Sequence, residues 1–271
     1  MKLKLFLIYV FFILRIIICL PLIPIIYLWG KAIKASIPDL PEPTKNLDGN
    51  FGESYCPKKV LLIGESSISG VGIEDHMEGI PGEIGRILSV HNDTSITWKV
   101  VAKSGFKAID VINQLLPKLA NETYNLIVIG LGGNDTFQTT PPWIWRRDMY
   151  LLINLIKIKY PSAHVIISAM PPVADFPVFP KLLQSFMGGH TNMLRLSIMD
   201  FPILFDKVYY MADKVKMHEW LGDETSNNME DFFSDGVHPS ALTYQLIGRG
   251  IAGLVIEKKV FDRIESDCAN N

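Results

Sequence analysis

The stretch Val60-Leu61-Leu62-Ile63-Gly64-Glu65-Ser66-Ser67-Ile68-Ser69-Gly70-Val71-Gly72 decides how this chain is read. Four consecutive branched apolar residues read as a buried strand, and Gly64 ends it abruptly. Ser66 then stands just beyond the strand's carboxyl end, where open parallel sheets hold their ligands. Gly70 and Gly72 allow the backbone behind it to turn tightly or to approach another group closely. Such a serine is either an ordinary turn residue or a nucleophile. The second role requires a base and an oxyanion site from elsewhere in the chain.

Outward from this stretch, strand-like and helix-like segments alternate. Strands are predicted over 60–63, 97–102, 126–129, 165–168 and 208–211. Helical patterns occupy 83–88, 108–119, 147–160, 181–199 and 241–256. Repeated βα units predict an α/β fold with a central parallel sheet covered by helices on both faces.

The chemistry-bearing residues follow the strands. Ser66 comes after the first, Ser104-Gly105 after the second, and Gly130-Leu131-Gly132-Gly133-Asn134-Asp135 after the third. Ser234-Asp235-Gly236-Val237-His238-Pro239 precedes the last helix. All of these loops can converge on one crevice at the carboxyl edge of the sheet. His238 suits the general base, and Asp235, three residues before it, can fix its tautomer. Pro239 suits the first position of the last helix, which would hold His238 at a rigid helix start. Asn134 offers a side-chain amide, and Gly105 an unobstructed backbone N–H, to a developing oxyanion.

These blocks resemble the SGNH hydrolases, or GDSL-type lipases/esterases. Gly64-Glu65-Ser66, Gly105, Gly132-Gly133-Asn134-Asp135 and Asp235-Gly236-Val237-His238 stand in the family's order, across residues 59–257. The specificity lies in the ordered set rather than in any one block. The resemblance implies a flavodoxin-like three-layer α/β/α sandwich. It also implies Ser66 as nucleophile, His238 as base, Asp235 as its orienting partner, and an oxyanion hole from the Ser66 and Gly105 N–H groups with the Asn134 amide. The implied reaction is hydrolysis of carboxylic esters, with short or medium acyl chains or lipid esters, through an acyl-enzyme and without metal or cofactor. The same site in the family also serves sugar O-deacetylation and acyl transfer. Glu65 departs from the family pattern, which has aspartate at that position; the residue supports the loop there.

The first segment carries much of the hydrophobic excess. Residues 3–29 are almost wholly apolar, broken by Lys4, Arg15, Pro21 and Pro24. About 20 apolar residues suffice to cross a bilayer. Arg15 near the middle costs roughly 2.5–3.5 kcal/mol on insertion scales, offset by its Leu, Ile and Phe neighbours. We expect a single uncleaved membrane anchor over 1–30, with an in-plane or hairpin anchor as the alternative. A Pro/Gly-rich spacer over 31–57 and a hydrolase domain over 58–271 then follow. The flanking lysines balance (Lys2 and Lys4 before, Lys31 and Lys34 after), so charge sets no orientation; an extracytoplasmic, periplasmic domain is the expectation. The anchor, the spacer and the proline-bracketed stretch 171–180 also resemble a bacterial membrane-anchored subgroup.

The formal net charge of −2 leaves no basic footprint for nucleic acid. Cys19, Cys56 and Cys268 are too few and too scattered for a disulfide framework or a zinc cluster. At most Cys56 and Cys268 could pair, and all three are expected to be free. His76, His91, His164, His190 and His218 read as surface or structural residues. Glu74, Asp75 and Glu78 read as a solvated acidic loop rather than a cation site. Trp143 and Trp145 either pack or line an acyl pocket. Phe176, Phe179, Leu182, Leu183, Phe186 and Met187 form either an apolar lip over the crevice or a buried helix face.

Two other function classes compete. A phosphate-binding module would use 64–72 as an anion cradle at a helix start, but no Gly-Lys-Ser/Thr sequence is present and the Asp235/His238 pair would have no purpose. A catalytically idle, membrane-tethered binding domain would leave every catalytic residue type without use. Asn92, Asn121 and Asn134 head N-x-Thr sequons; glycosylation of Asn134 would block the oxyanion site, which disfavours a glycosylating secretory route.

Overall fold

The computed structural model describes residues 2–213 and 228–261; His218 and Cys268 lie outside them. Two N-terminal helices, α1 (Lys2–Cys19) and α2 (Ile23–Ser36), precede strand β1 (Asp48–Phe51). Then come β2 (Lys58–Gly64), the single turn α3 (Ser66–Ser69), α4 (Ile80–Asn92) and β3 (Ile96–Ala102). A short helix α5 (Ala108–Asp110) runs on through a wide turn and a 3₁₀ turn to Lys118, where Pro117 stops regular helix. The second half holds β4 (Leu126–Gly130), α6 (Gly133–Phe137), α7 (Pro142–Lys159), β5 (His164–Ile167), α8 (Lys181–Ser197), α9 (Phe201–Leu204), β6 (Val208–Tyr210) and α10 (Ala241–Glu257).

The sheet order is β1-β3-β2-β4-β5-β6. Every pairing is parallel except β1 on β3. Without β1 this is the doubly wound flavodoxin-like order, and the direction of winding reverses at β2, flanked by β3 and β4. A ligand crevice therefore opens at the carboxyl end of β2. Leu61, Ile63, Ile127 and Ile129 pack on the α7 side; Val60, Leu62, Leu126 and Val128 pack on the α4–α10 side. Burial on both faces explains why these strands read as continuous apolar runs without alternation.

Strand β1 lies within the stretch expected to be spacer. Its Asp-Gly-Asn-Phe sequence has no strand signature, and tertiary contact holds it. Gly49 sits across from Trp98, where a Cβ would stand 2.2 Å from the indole, and the indole N–H donates to Asn46 O at 3.1 Å. The expectation of three free cysteines is also corrected. Cys56 is disulfide-bonded, while among the described residues Cys19 is free; spacing in sequence does not reveal which thiols the fold brings together.

Candidate active site

Ser66 opens α3 directly after β2, and its carbonyl accepts the N–H groups of Gly70 and Val71, closing a tight loop. That loop meets the loop bearing His238. The Tyr244 hydroxyl on α10 donates to Val71 O at 2.9 Å, and a Cβ on Gly72 would lie 2.8 Å from Ser234 Oγ. The last helix thus ties the serine turn to the histidine loop.

Within 234–239 the backbone folds back on itself. Ser234 N–H donates to His238 O at 2.9 Å, and Phe233 bridges to Pro239. Asp235 is fully enclosed and His238 is about one-fifth exposed. One Asp235 carboxylate oxygen accepts the N–H groups of Val237 (2.9 Å) and His238 (2.7 Å); the other faces His238 Nδ1 at 2.7 Å. Burial alone would raise the Asp235 carboxyl. The hydrogen bonds from the His238 ring and the two backbone amides outweigh it and hold the pKa below the ordinary value. An ionised Asp235 keeps the proton on Nδ1 and leaves Nε2 as the basic nitrogen. The expected role of Pro239 is corrected. It belongs to the bridge with Phe233, and the helix starts at Ala241 with Ser240 as its cap, accepting Thr243 N–H at 3.4 Å.

The loops after β3 and β4 complete the rim. Gly105 has φ +83°, in the left-handed region, and an added Cβ there would meet open space among the described residues. Neighbouring Ser104 donates its N–H to Glu42 at 3.1 Å. Asn134 is engaged by Glu65: Gly133 N–H reaches one carboxylate oxygen at 2.7 Å, and Asn134 N–H (2.8 Å) and Nδ2 (2.6 Å) reach the other. Glu65 is buried, which pushes its pKa up to about 7; the Asn134 and Gly133 N–H groups partly offset this, and nearby Asp135 adds to it. Its longer side chain therefore fits, and it holds the amide of the candidate oxyanion residue with one of its two protons, leaving the other available. Asp135 braces more than its own loop, accepting Ala108 N–H at 3.1 Å and so joining the β4 loop to the segment after Gly105. Burial raises its pKa to about 6.

Sequence reasoning did not single out the Tyr244 hydroxyl or the Glu42 carboxylate, since neither carries a motif. Trp145 is fully buried in the core, and Trp143 packs edge-on against Tyr9 and Phe12 of α1, so neither lines an acyl pocket. Phe176 and Phe179 pack with Phe233 and Val237 next to His238, whereas Leu183 and Phe186 face the N-terminal helices. The expected apolar group is split between two surfaces. His76 and His190 are buried, His91 is exposed at the end of α4, and His164 stacks on Tyr209. Asp75 is occupied by Asn46 Nδ2 and Met77 N–H.

Residues 62–246 match the family model of the GDSL-like lipase/acylhydrolases. The chain belongs to the GDSL-like lipase/acylhydrolase family. Among curated proteins none matches it. Of solved structures, it is similar to TesA at 16% identity, covering 75% of this chain and 100% of that one with TM-score 0.57. It is also similar to phospholipase A1 from Streptomyces albidoflavus NA297, at 17% identity over 73% and 99% of the chains, TM-score 0.52. A third is a carbohydrate esterase family 2 enzyme from Corynascus thermopiles (Myceliophthora fergusii), at 16% identity over 76% and 68%, TM-score 0.54. At these identities the likeness is one of fold. The GDSL/SGNH family makes the protein a hydrolase, and one N-terminal helical segment, Lys2–Ser36, is long and apolar enough to cross a membrane.

Proposed function

We propose that this GDSL-family hydrolase cleaves carboxylic esters with Ser66 as nucleophile. The single observation that carries the reading is the enclosed Asp235–His238 pair, 2.7 Å apart, on a loop buttressed against the Ser66 turn. His238 Nε2 takes the Ser66 Oγ proton as Oγ bonds to the ester carbonyl carbon. The carbonyl oxygen gains the negative charge, opposite the N–H groups of Ser66 and Gly105 and the Asn134 amide. Collapse expels the alcohol, which takes the proton from His238. Water, deprotonated by the same imidazole, then releases the acid from the acyl-serine. Asp235 holds the imidazole and stabilises its cationic form.

Short or medium acyl esters and lipid esters fit this site. Sugar O-acetyl esters are a second substrate class for the same site, and a carbohydrate esterase shares the fold. Length and apolarity support membrane attachment through Lys2–Ser36. The disulfide at Cys56 supports an oxidising, extracytoplasmic side.

The test is hydrolysis of a p-nitrophenyl ester series and of an acetylated sugar by the parent, Ser66→Ala and His238→Ala, with fold checked by circular dichroism. Both variants should lose roughly 10³-fold or more in kcat while remaining folded. Undiminished activity of Ser66→Ala would rule this site out.

A further inference from the structure

The N-terminal helices do not stand away from the domain. The less exposed positions in Lys2–Ser36 include Ile8, Phe12, Arg15, Cys19, Ile26 and Ile33, all on one helical stripe. The stripe runs antiparallel along α8. Phe12 packs edge-on against Trp143 (5.4 Å) and beside the His190 ring (5.5 Å). Arg15 donates to Ser185 O at 2.8 Å and Phe186 O at 2.5 Å, and lies 5.0 Å from the centre of the Phe186 ring. Gly189 leaves the room for it, since a Cβ there would be 2.4 Å from the guanidinium. Further along, Ile26 is buried with Leu183 and Phe186, and Ile33 joins the same cluster.

Crossing a bilayer in this arrangement would carry α8 into hydrocarbon together with Asn192, Arg195 and the Arg146–Asp200 ion pair. Ionised side chains at that depth are costly. The opposite face of the helices is apolar and uncovered: Phe6, Leu7, Phe11, Leu14, Ile18 and Leu28 are exposed. With one side seated on its own protein domain and the other apolar and exposed, the segment can bury its free face among acyl chains while the domain stays in water.

From α2 the chain passes directly onto the crevice rim. Pro41 O accepts Gly72 N–H at 3.2 Å, and Glu42 accepts Ser104 N–H next to Gly105. Phe179 and Met187 touch both the Ile33 cluster and the Phe233–Val237 cluster beside His238. One apolar surface therefore leads from the membrane helices to the candidate base.

We propose that Lys2–Ser36 lies in the plane of the membrane surface, between the acyl chains and the α7–α8 side of the domain, and that the crevice draws its ester from the bilayer. The substrate is then an amphiphile whose tail remains among lipid chains while its ester reaches Ser66. The substrate half rests on the ester-hydrolase reading above.

The full chain, with an epitope tag at each terminus, is reconstituted in phosphatidylcholine/phosphatidylglycerol vesicles. Protease added outside should remove both tags together, and spin labels at Phe11, Ile18 and Leu28 should report one shallow depth. Protection of the N-terminal tag when the C-terminal tag is cut, or a depth gradient along the helix, overturns the in-plane anchor. So does a chain that stays soluble as a dimer and does not float with vesicles. Gly189→Ala and Arg15→Leu, which disturb the helix seat, should keep hydrolysis of dissolved p-nitrophenyl butyrate within about 2-fold but lose about 10-fold or more on a long-chain ester embedded in vesicles. Equal effects on the two esters overturn the substrate half. A parent inactive on both esters overturns the hydrolase reading and the substrate half with it, while tags and spin labels still decide the position of the helix.

Discussion

Glu65 shows how one methylene changes the demands on a site. Its carboxylate collects three N–H groups from Gly133 and Asn134 with no cationic side chain to neutralise it. Glu65→Gln turns one acceptor oxygen into a donor facing N–H groups, so the Asn134 amide loses its hold. The expected result is a fall in kcat of about 10-fold or more with KM nearly unchanged, because an oxyanion donor acts mainly in the transition state. A proportional change in KM alone would speak against a positioning role. The pKa of Glu65 is raised in the folded protein, from an ordinary value of 4.5 to about 7. The fold therefore binds this proton more tightly than the unfolded chain, and its contribution to stability is full below pH 4.5 and lost as pH rises towards 7. Denaturant midpoints of parent and Glu65→Gln should consequently shift in the variant's favour across that window. A gap independent of pH would contradict it. Asp235 has the opposite sign: its lowered pKa contributes stability above the ordinary aspartate value that is lost as pH falls through the folded value. Asp235→Asn should cost kcat on the order of 10³-fold or more, since the wrong imidazole tautomer would face Ser66; a variant near parental kcat would remove Asp235 from the mechanism. The types and order of these residues were legible in the sequence. The Glu65–Asn134 contact was not, because its partners are 69 positions apart in the chain.

At the scale of elements, legibility followed burial. The central strands were found because each packs apolar residues on both faces, and the sequence ranges for α4, α7, α8 and α10 differed from the structure mainly at their ends. Strand β1 was not found, since Gly49 contributes no side chain and the strand depends on Trp98 of its neighbour. Trp98→Ala should therefore free the edge: amide exchange at Asp48–Phe51 should accelerate far more than in β4, with about 3–5 kcal/mol lost overall. Unchanged protection in β1 would show that backbone pairing alone holds it. The helix predicted over 108–119 was legible at its start, and its irregular end follows from Pro117.

At the scale of the whole molecule, the seat of the N-terminal helices joins distant parts of the chain, and Cys56 carries a disulfide. Reduction should lower the thermal midpoint, in keeping with about 2–4 kcal/mol for a typical cross-link. A midpoint indifferent to reductant would mean that the bond constrains nothing the fold requires. Arg15 belongs to the same scale. In sequence it is a charge interrupting an apolar span; in the fold it donates to backbone carbonyls within α8.

By itself the sequence determined the α/β class, the strand ends where the chemistry-bearing residues stand, and the family, because continuous apolar runs and short ordered blocks are local properties. Tertiary structure alone decided which cysteine is bonded, what Glu65 holds, that the expected spacer contributes an edge strand, and where the apolar N-terminal helices rest. The Glu65 contacts, the edge strand and the helix seat depend on groups far apart in the chain meeting in space, and no local pattern encodes such a meeting.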